Sequence, residues 1–127
     1  MSDAEKIALL DNFAAAFNAH DADALMTYMV DGDDCVFYSA AGNTPQGGEF
    51  RGQAAVKAAY EAVWKKYPDA RWNNPTHFVS GERGITQWLF TGSTPDGKEK
   101  SNVHGCDVFE FRNGKILVKD SYRKQMI

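Results

Sequence analysis

The sequence predicts one α+β domain: a curved, cone-shaped, mixed or antiparallel sheet wrapped around three helices from the N-terminal half. Three observations lead there. Apolar residues recur at helical spacing as far as Tyr67. From about residue 71 the period changes from 3.6 to 2. Helices therefore come first and hairpins last, which is the order of an α+β fold and not of a doubly wound one. The 127 residues, 43% of them hydrophobic, suit a single domain over 1–127 with one core.

Ser2 and Glu5 have the spacing of a capping box, and Ile7, Leu10, Phe13, Ala14 and Phe17 form the stripe behind it. Asp21 can cap a second, shorter helix with Leu25, Tyr28 and Met29 on one side, ended by Gly32. Asp34 to Ser39 reads as a first strand, and the Gly-, Pro- and Asn-rich run after it as a loop. A third helix is expected from about Gln53 to Tyr67, with Val56, Tyr60, Val63 and Trp64 on its stripe and Pro68 as its stop. Strand-like runs then cover about 71–80, 85–93, 99–111 and 115–123, with GERG, TPDG and RNGK as turns. Long strands in succession twist and curl. Helices on the concave side leave an interior suited to a small ligand.

Composition narrows the function. Fourteen basic and 17 acidic side chains give a formal charge of −3, and no basic stripe exists. Nucleic acid and anionic membrane are not expected partners. No apolar run approaches the ~20 residues of a membrane span, and no signal peptide is read at the N-terminus. Cys35 and Cys106 are expected as buried free thiols, which suits a cytoplasmic protein. Three scattered histidines without short ligand spacings predict no metal, and GNTPQGGEFRG lacks the lysine and hydroxyl of a phosphate loop. No cofactor is expected.

The chemistry concentrates in HGCDVFEF, residues 104–111. Strand alternation puts Val103, Gly105, Asp107, Phe109 and Phe111 on the greasier face and His104 on the other. Asp107 is thus a carboxyl aimed at the core, and His104 is no partner for it. A buried carboxyl pairs or takes up a proton. Phe17, Tyr60, Trp64, His77 and Trp88 are candidates for the ligand wall, with His77 equally placed for the pocket or the outer surface. His20, at a helix end, reads as a surface residue.

Three stretches, FNAHDADALMTYMVDGDDCVFYS, FRGQAAVKAAYEAVW and HGCDVFEFRNGKI, resemble the nuclear-transport-factor-2-like superfamily, and within it the SnoaL-like group. That fold hosts isomerases, cyclases, dehydratases, epoxide hydrolases and plain binding modules. Against its ketosteroid isomerases, Asp107 matches the oxyanion-hole acid and Tyr60 a supporting helix tyrosine. Their first-helix tyrosine falls on Phe13 and their carboxylate base on Ser39, so steroid isomerisation is not expected. The arginine of limonene epoxide hydrolases falls on Gly105. The SnoaL-like cyclases use one aspartate as acid and base, a role the resemblance implies for Asp107. It also implies a homodimer, the sheets packed back to back over the face that carries Cys106 and Val108.

The FRNGKI hairpin decides what faces Asp107. A two-residue Asn113-Gly114 loop pairs Asp107 with Asp120; a three-residue Arg112-Asn113-Gly114 loop pairs it with Lys119 and Gly105 with Ser121. Like charges directly opposite destabilise, so the three-residue loop is favoured, and the family register agrees. Lys119, Ser121 and Arg123 then point into or toward the rim of the same cavity. The expected function is binding of a small organic ligand with a carbonyl or carboxylate. The accompanying activity is cofactor-independent isomerase- or cyclase-type proton transfer by Asp107; the alternative is a non-catalytic binding or dimerisation module.

Overall fold

The computed structural model describes Met1–Ile127. Three helices, α1 (Asp3–Asn18), α2 (Ala22–Thr27) and α3 (Gln53–Lys66), accompany six strands. The strands are β1 (Val36–Tyr38), β2 (Glu49–Arg51), β3 (Arg71–Ser80), β4 (Arg83–Ser93), β5 (Lys100–Arg112) and β6 (Lys115–Arg123). They form one sheet in the order β2-β1-β6-β5-β4-β3, antiparallel except where β1 runs parallel to β6. The α+β class and the curved mixed sheet are as expected. β2 was not: it lies inside the run read as loop, because three residues are too few to show a period.

The capping box at α1 is present in both directions, Ser2 with Glu5. The buried face of α1 is Lys6, Leu10, Phe13, Ala16 and Phe17. Ile7, expected on that stripe, lies at its exposed margin, and Lys6 takes the inner place. Its stem lies under α1 while Nζ donates to the Gly81 carbonyl at 2.5 Å and pairs with Glu82 at 3.1 Å. Asn18, at the end of α1, fastens β3 by two bonds to the backbone of Trp72. His20 is half-buried, a correction to its expected surface place: Nε2 meets the Ala70 carbonyl at 2.8 Å and the ring stacks on Trp64.

The helices cover one face of the sheet. Trp72, Thr86, Trp88, Phe90, Val103, Asp107, Phe109, Phe111 and Ile116 are buried beneath them. The opposite face leaves Phe78, Ile85 and Tyr122 exposed. Cys35 is buried, whereas Cys106 is only half-buried on that outer face.

The β5–β6 hairpin corrects the expected register. Its loop is the two-residue Asn113-Gly114 turn, both residues at positive φ, as a type I′ turn requires. Arg112 pairs with Lys115 and Phe111 with Ile116. An extra residue in β6, Leu117, then shifts the pairing, so Glu110 meets Val118 and Phe109 meets Lys119. Asp107 therefore faces Ser121, neither Asp120 nor Lys119, and Gly105 faces Arg123. The bulge also reverses parity. Ile116 above it and Lys119, Ser121 below it all reach the covered face.

A lysine between a buried carboxylate and a cationic cavity

Asp107 is 5% exposed, at the middle of β5. Both of its oxygens are engaged. Trp88 Nε1 donates to Oδ2 at 2.9 Å, and Ser121 Oγ donates to Oδ1 at 2.5 Å. Lys119 Nζ stands 3.2 Å from Oδ1 and donates to Ser121 Oγ at 3.0 Å. Trp88 can lie over the carboxyl because its cross-strand partner is Gly105. A Cβ there would come within 2.6 Å of the Trp88 ring. Phe13, where the resemblance puts a tyrosine, packs edge-on against Phe109 and offers no donor. The Trp88 indole N–H serves the second carboxylate oxygen instead.

Beside Asp107 lies a void of about 20 Å³ bounded by Phe13, Trp72, Thr86, Trp88 and Lys119, room for a single water. A far larger cavity, about 1180 Å³, lies on the other side of Lys119. Its wall includes Phe17, Phe37, Tyr60, Lys119, Ser121 and Arg123. Its mouth is ringed by the exposed segments 40–41, 98–100 and 124–126. Asp107, Trp64, His77 and Trp88 are not part of this wall. Trp64 packs against Phe17 and His20. Ser39 lines the cavity with its hydroxyl held by the Ala41 carbonyl and the Gly48 amide.

Lys119 touches both spaces. Its Nζ sits 4.6 Å from the centre of the Phe37 ring, 4.8 Å from Phe17 and 5.4 Å from Tyr60. Burial among these rings pulls its pKa below the usual lysine value, against the opposing charge of Asp107. Burial, then the charges of Asp107 and Cys35, push the Tyr60 phenol well above its ordinary value, so it stays protonated. Its hydroxyl donates to Met29 Sδ at 3.2 Å and is not offered to Asp107.

Arg123 is also built into the wall. Its guanidinium lies 3.9 Å above the Phe90 ring and 5.8 Å from Trp88. Nε is buried without a hydrogen-bond partner, and no carboxylate lies within 4 Å of the group. Lys66, Lys98, Lys100 and Lys124 add positive charge, and Glu99, the one acid of the lining, pairs with Lys66. The cavity is therefore cationic in a chain of net charge −3.

His77 lies under α1, its side chain 5% exposed. Nδ1 meets Thr86 Oγ1 at 2.8 Å, and Nε2 lies 2.8 Å from Asp11 Oδ1. Nε2 makes no hydrogen bond in spite of this proximity; Thr86 borders the one-water void, while the Asp11 carboxylate is exposed to solvent. His104 is exposed on the outer face. No group of three or more His, Cys, Asp or Glu is placed to hold a metal, and no helix is long and apolar enough to cross a membrane.

Residues 10–118 match the SnoaL-like domain family. No curated protein matches the chain significantly. Many solved structures do. Bal32a, from a soil-derived mobile gene cassette, is 20% identical with a TM-score of 0.81, over 95% of this chain and 90% of its own. A Xanthomonas campestris protein provisionally named a polyketide cyclase is 19% identical with a TM-score of 0.79, over 94% and 90%. A Catenulispora acidiphila protein of ketosteroid isomerase-like fold, solved with trimethylamine, is 14% identical with a TM-score of 0.77, over 90% and 83%. At these identities the likeness is one of fold.

Proposed function

Given that the chain belongs to the SnoaL-like domain family, we propose that it binds a small organic anion in the cavity between α3 and the sheet. The observation that carries this reading is Arg123: a guanidinium in the cavity wall with no anion of its own. A planar fork of donors suits a carboxylate, and a charge-assisted bond in a half-buried place outweighs a neutral one. The aromatic wall of Phe17, Phe37 and Tyr60 supports an apolar ligand body. Asp107 serves here as the counter-ion that holds Lys119, since its oxygens are occupied on the far side of the wall.

Calorimetry with matched pairs, 2-naphthoate against 2-naphthamide, tests this. The acid should bind and the amide bind more weakly. Arg123→Met should cost the acid about 10- to 100-fold in affinity, the equivalent of a charge-assisted bond of about 1.5–3 kcal/mol. Lys65→Met, an exposed lysine outside the wall, should leave binding unchanged. Equal affinity for acid and amide would sink the reading.

A second reading has one observation behind it. Ser121 lines the cavity and its Oγ donates to Asp107 Oδ1 at 2.5 Å, a path by which a proton could pass between ligand and carboxyl. It supports cofactor-free proton transfer of isomerase or cyclase type, in keeping with the provisional name of the Xanthomonas protein. Ser121→Ala should then abolish turnover without abolishing binding.

A further inference from the structure

We propose that Lys119 is a carbonyl-reactive amine, which condenses with an aldehyde or ketone seated in the cavity to form an imine. This rests on the ligand-binding reading, because the same cavity must seat the carbonyl compound.

Of the five lysines in the cavity wall, Lys119 alone is buried. Lys6 is also buried, but it is tied to Gly81 and Glu82 away from the cavity. Three aromatic rings surround Lys119 Nζ, and burial favours its neutral, nucleophilic form. Two proton carriers stand within reach, Ser121 Oγ at 3.0 Å and Asp107 Oδ1 at 3.2 Å. Arg123 lies four residues along the same strand, about 13 Å away at ~3.3 Å per residue. A carboxylate held there would belong to the same molecule as the carbonyl, several bonds from it.

The steps balance without an oxidant or a cofactor. The Lys119 ammonium gives a proton to Asp107. The amine lone pair then forms a C–N bond to the carbonyl carbon, and the π electrons move to oxygen. Asp107 protonates that oxygen, directly or through Ser121, and takes a second proton from the nitrogen. It returns this proton to the hydroxyl as the C–O bond breaks and the nitrogen lone pair closes the C=N bond. Ammonium and carbonyl have become iminium and water, and Asp107 remains as the counter-ion. The charge of the buried site is the same before and after.

The test is reductive trapping on the intact chain with 4-carboxybenzaldehyde and sodium cyanoborohydride, followed by peptide mapping. Lys119 should be labelled at least about tenfold faster than in the urea-unfolded chain, because a seated ligand raises the local carbonyl concentration. Benzaldehyde should label it more slowly. Lys119→Met should remove this label, and Lys65→Met, outside the wall, should keep it. Calorimetry with 4-methylbenzoate is run alongside. Binding of that acid with Lys119 labelled no faster than in the unfolded chain would overturn the amine reading and leave the ligand reading standing. Absence of both binding and label would overturn the two together. Labelling of the wild-type chain decides the matter even if Lys119→Met fails to fold.

Discussion

Lys119 Nζ lies 3.2 Å from Asp107 Oδ1 although neither residue faces the other across the strands; Lys119 is opposite Phe109, and Asp107 opposite Ser121. The pair is diagonal, and its side chains are only 6% and 8% exposed. Such a pair contributes little net stability against an apolar replacement, but breaking it strands a charge. Asp107→Ala should therefore cost about 3–5 kcal/mol in urea unfolding. The double variant Asp107→Ala with Lys119→Met, set against the two single variants, should recover much of that loss. Additive losses in the cycle would mean that the two groups are not coupled.

Gly105 makes room for the Trp88–Asp107 bond. An alanine Cβ would meet the Trp88 ring at 2.6 Å and the Tyr122 carbonyl closer still. The Tyr122 contact is with backbone, so β6 must be pushed away and the indole displaced as well. Gly105→Ala should lower stability by about 1–3 kcal/mol, the usual cost of overpacking. It should also shift tryptophan emission to the red as Trp88 leaves the carboxyl. Unchanged emission would show that the strand absorbs the methyl instead.

The order of helices and strands was legible because long elements repeat their period many times. The inward placement of Asp107 followed from alternation within one strand. What faces Asp107 did not follow. The Asn-Gly turn could be read from its residues, but Leu117 carries no mark of a bulge, neither glycine nor proline. It is imposed from outside: Ile116 and Lys119 must both reach the covered face, and an odd separation forbids this in a regular strand. The longer loop expected from charge repulsion is absent; a bulge in β6 places Ser121, and not Asp120, opposite Asp107. Gly105 opposite an inward tryptophan was the one available signal for the Trp88 bond. Arg123's lack of a partner is a tertiary fact that no local pattern records.

The outer sheet face supports the homodimer that the resemblance implies. Phe78, Ile85 and Val108 form a row across β3, β4 and β5, and Cys106 and Tyr122 are neighbours across β5 and β6. Phe78 and Tyr122 are 60% and 55% exposed in the single chain. An isologous contact would bury both rows at once. Sedimentation should find a dimer, and Phe78→Glu with Tyr122→Glu should give a folded monomer. A wild-type monomer at tens of micromolar would exclude this face as an interface.

Tyr60 sets an alkaline limit on stability. In the unfolded chain its phenol ionises near the ordinary value of 10.0, while burial in the fold holds the proton to higher pH. Between the two values the fold binds more protons than the unfolded chain, so stability falls as pH rises past about 10. Lys119 acts in the opposite direction below its ordinary value of 10.5, because the unfolded chain there holds the extra proton. Tyr60→Phe keeps Lys119 and the other four tyrosines, so the difference between the two proteins isolates the phenol. At neutral pH the variant should lose only the weak bond to Met29 Sδ, roughly 1 kcal/mol or less. Above pH 10 its unfolding temperature should fall less steeply than that of the wild type, and the two curves should converge or cross. Parallel curves through that range would mean that the Tyr60 hydroxyl is solvated in the folded chain.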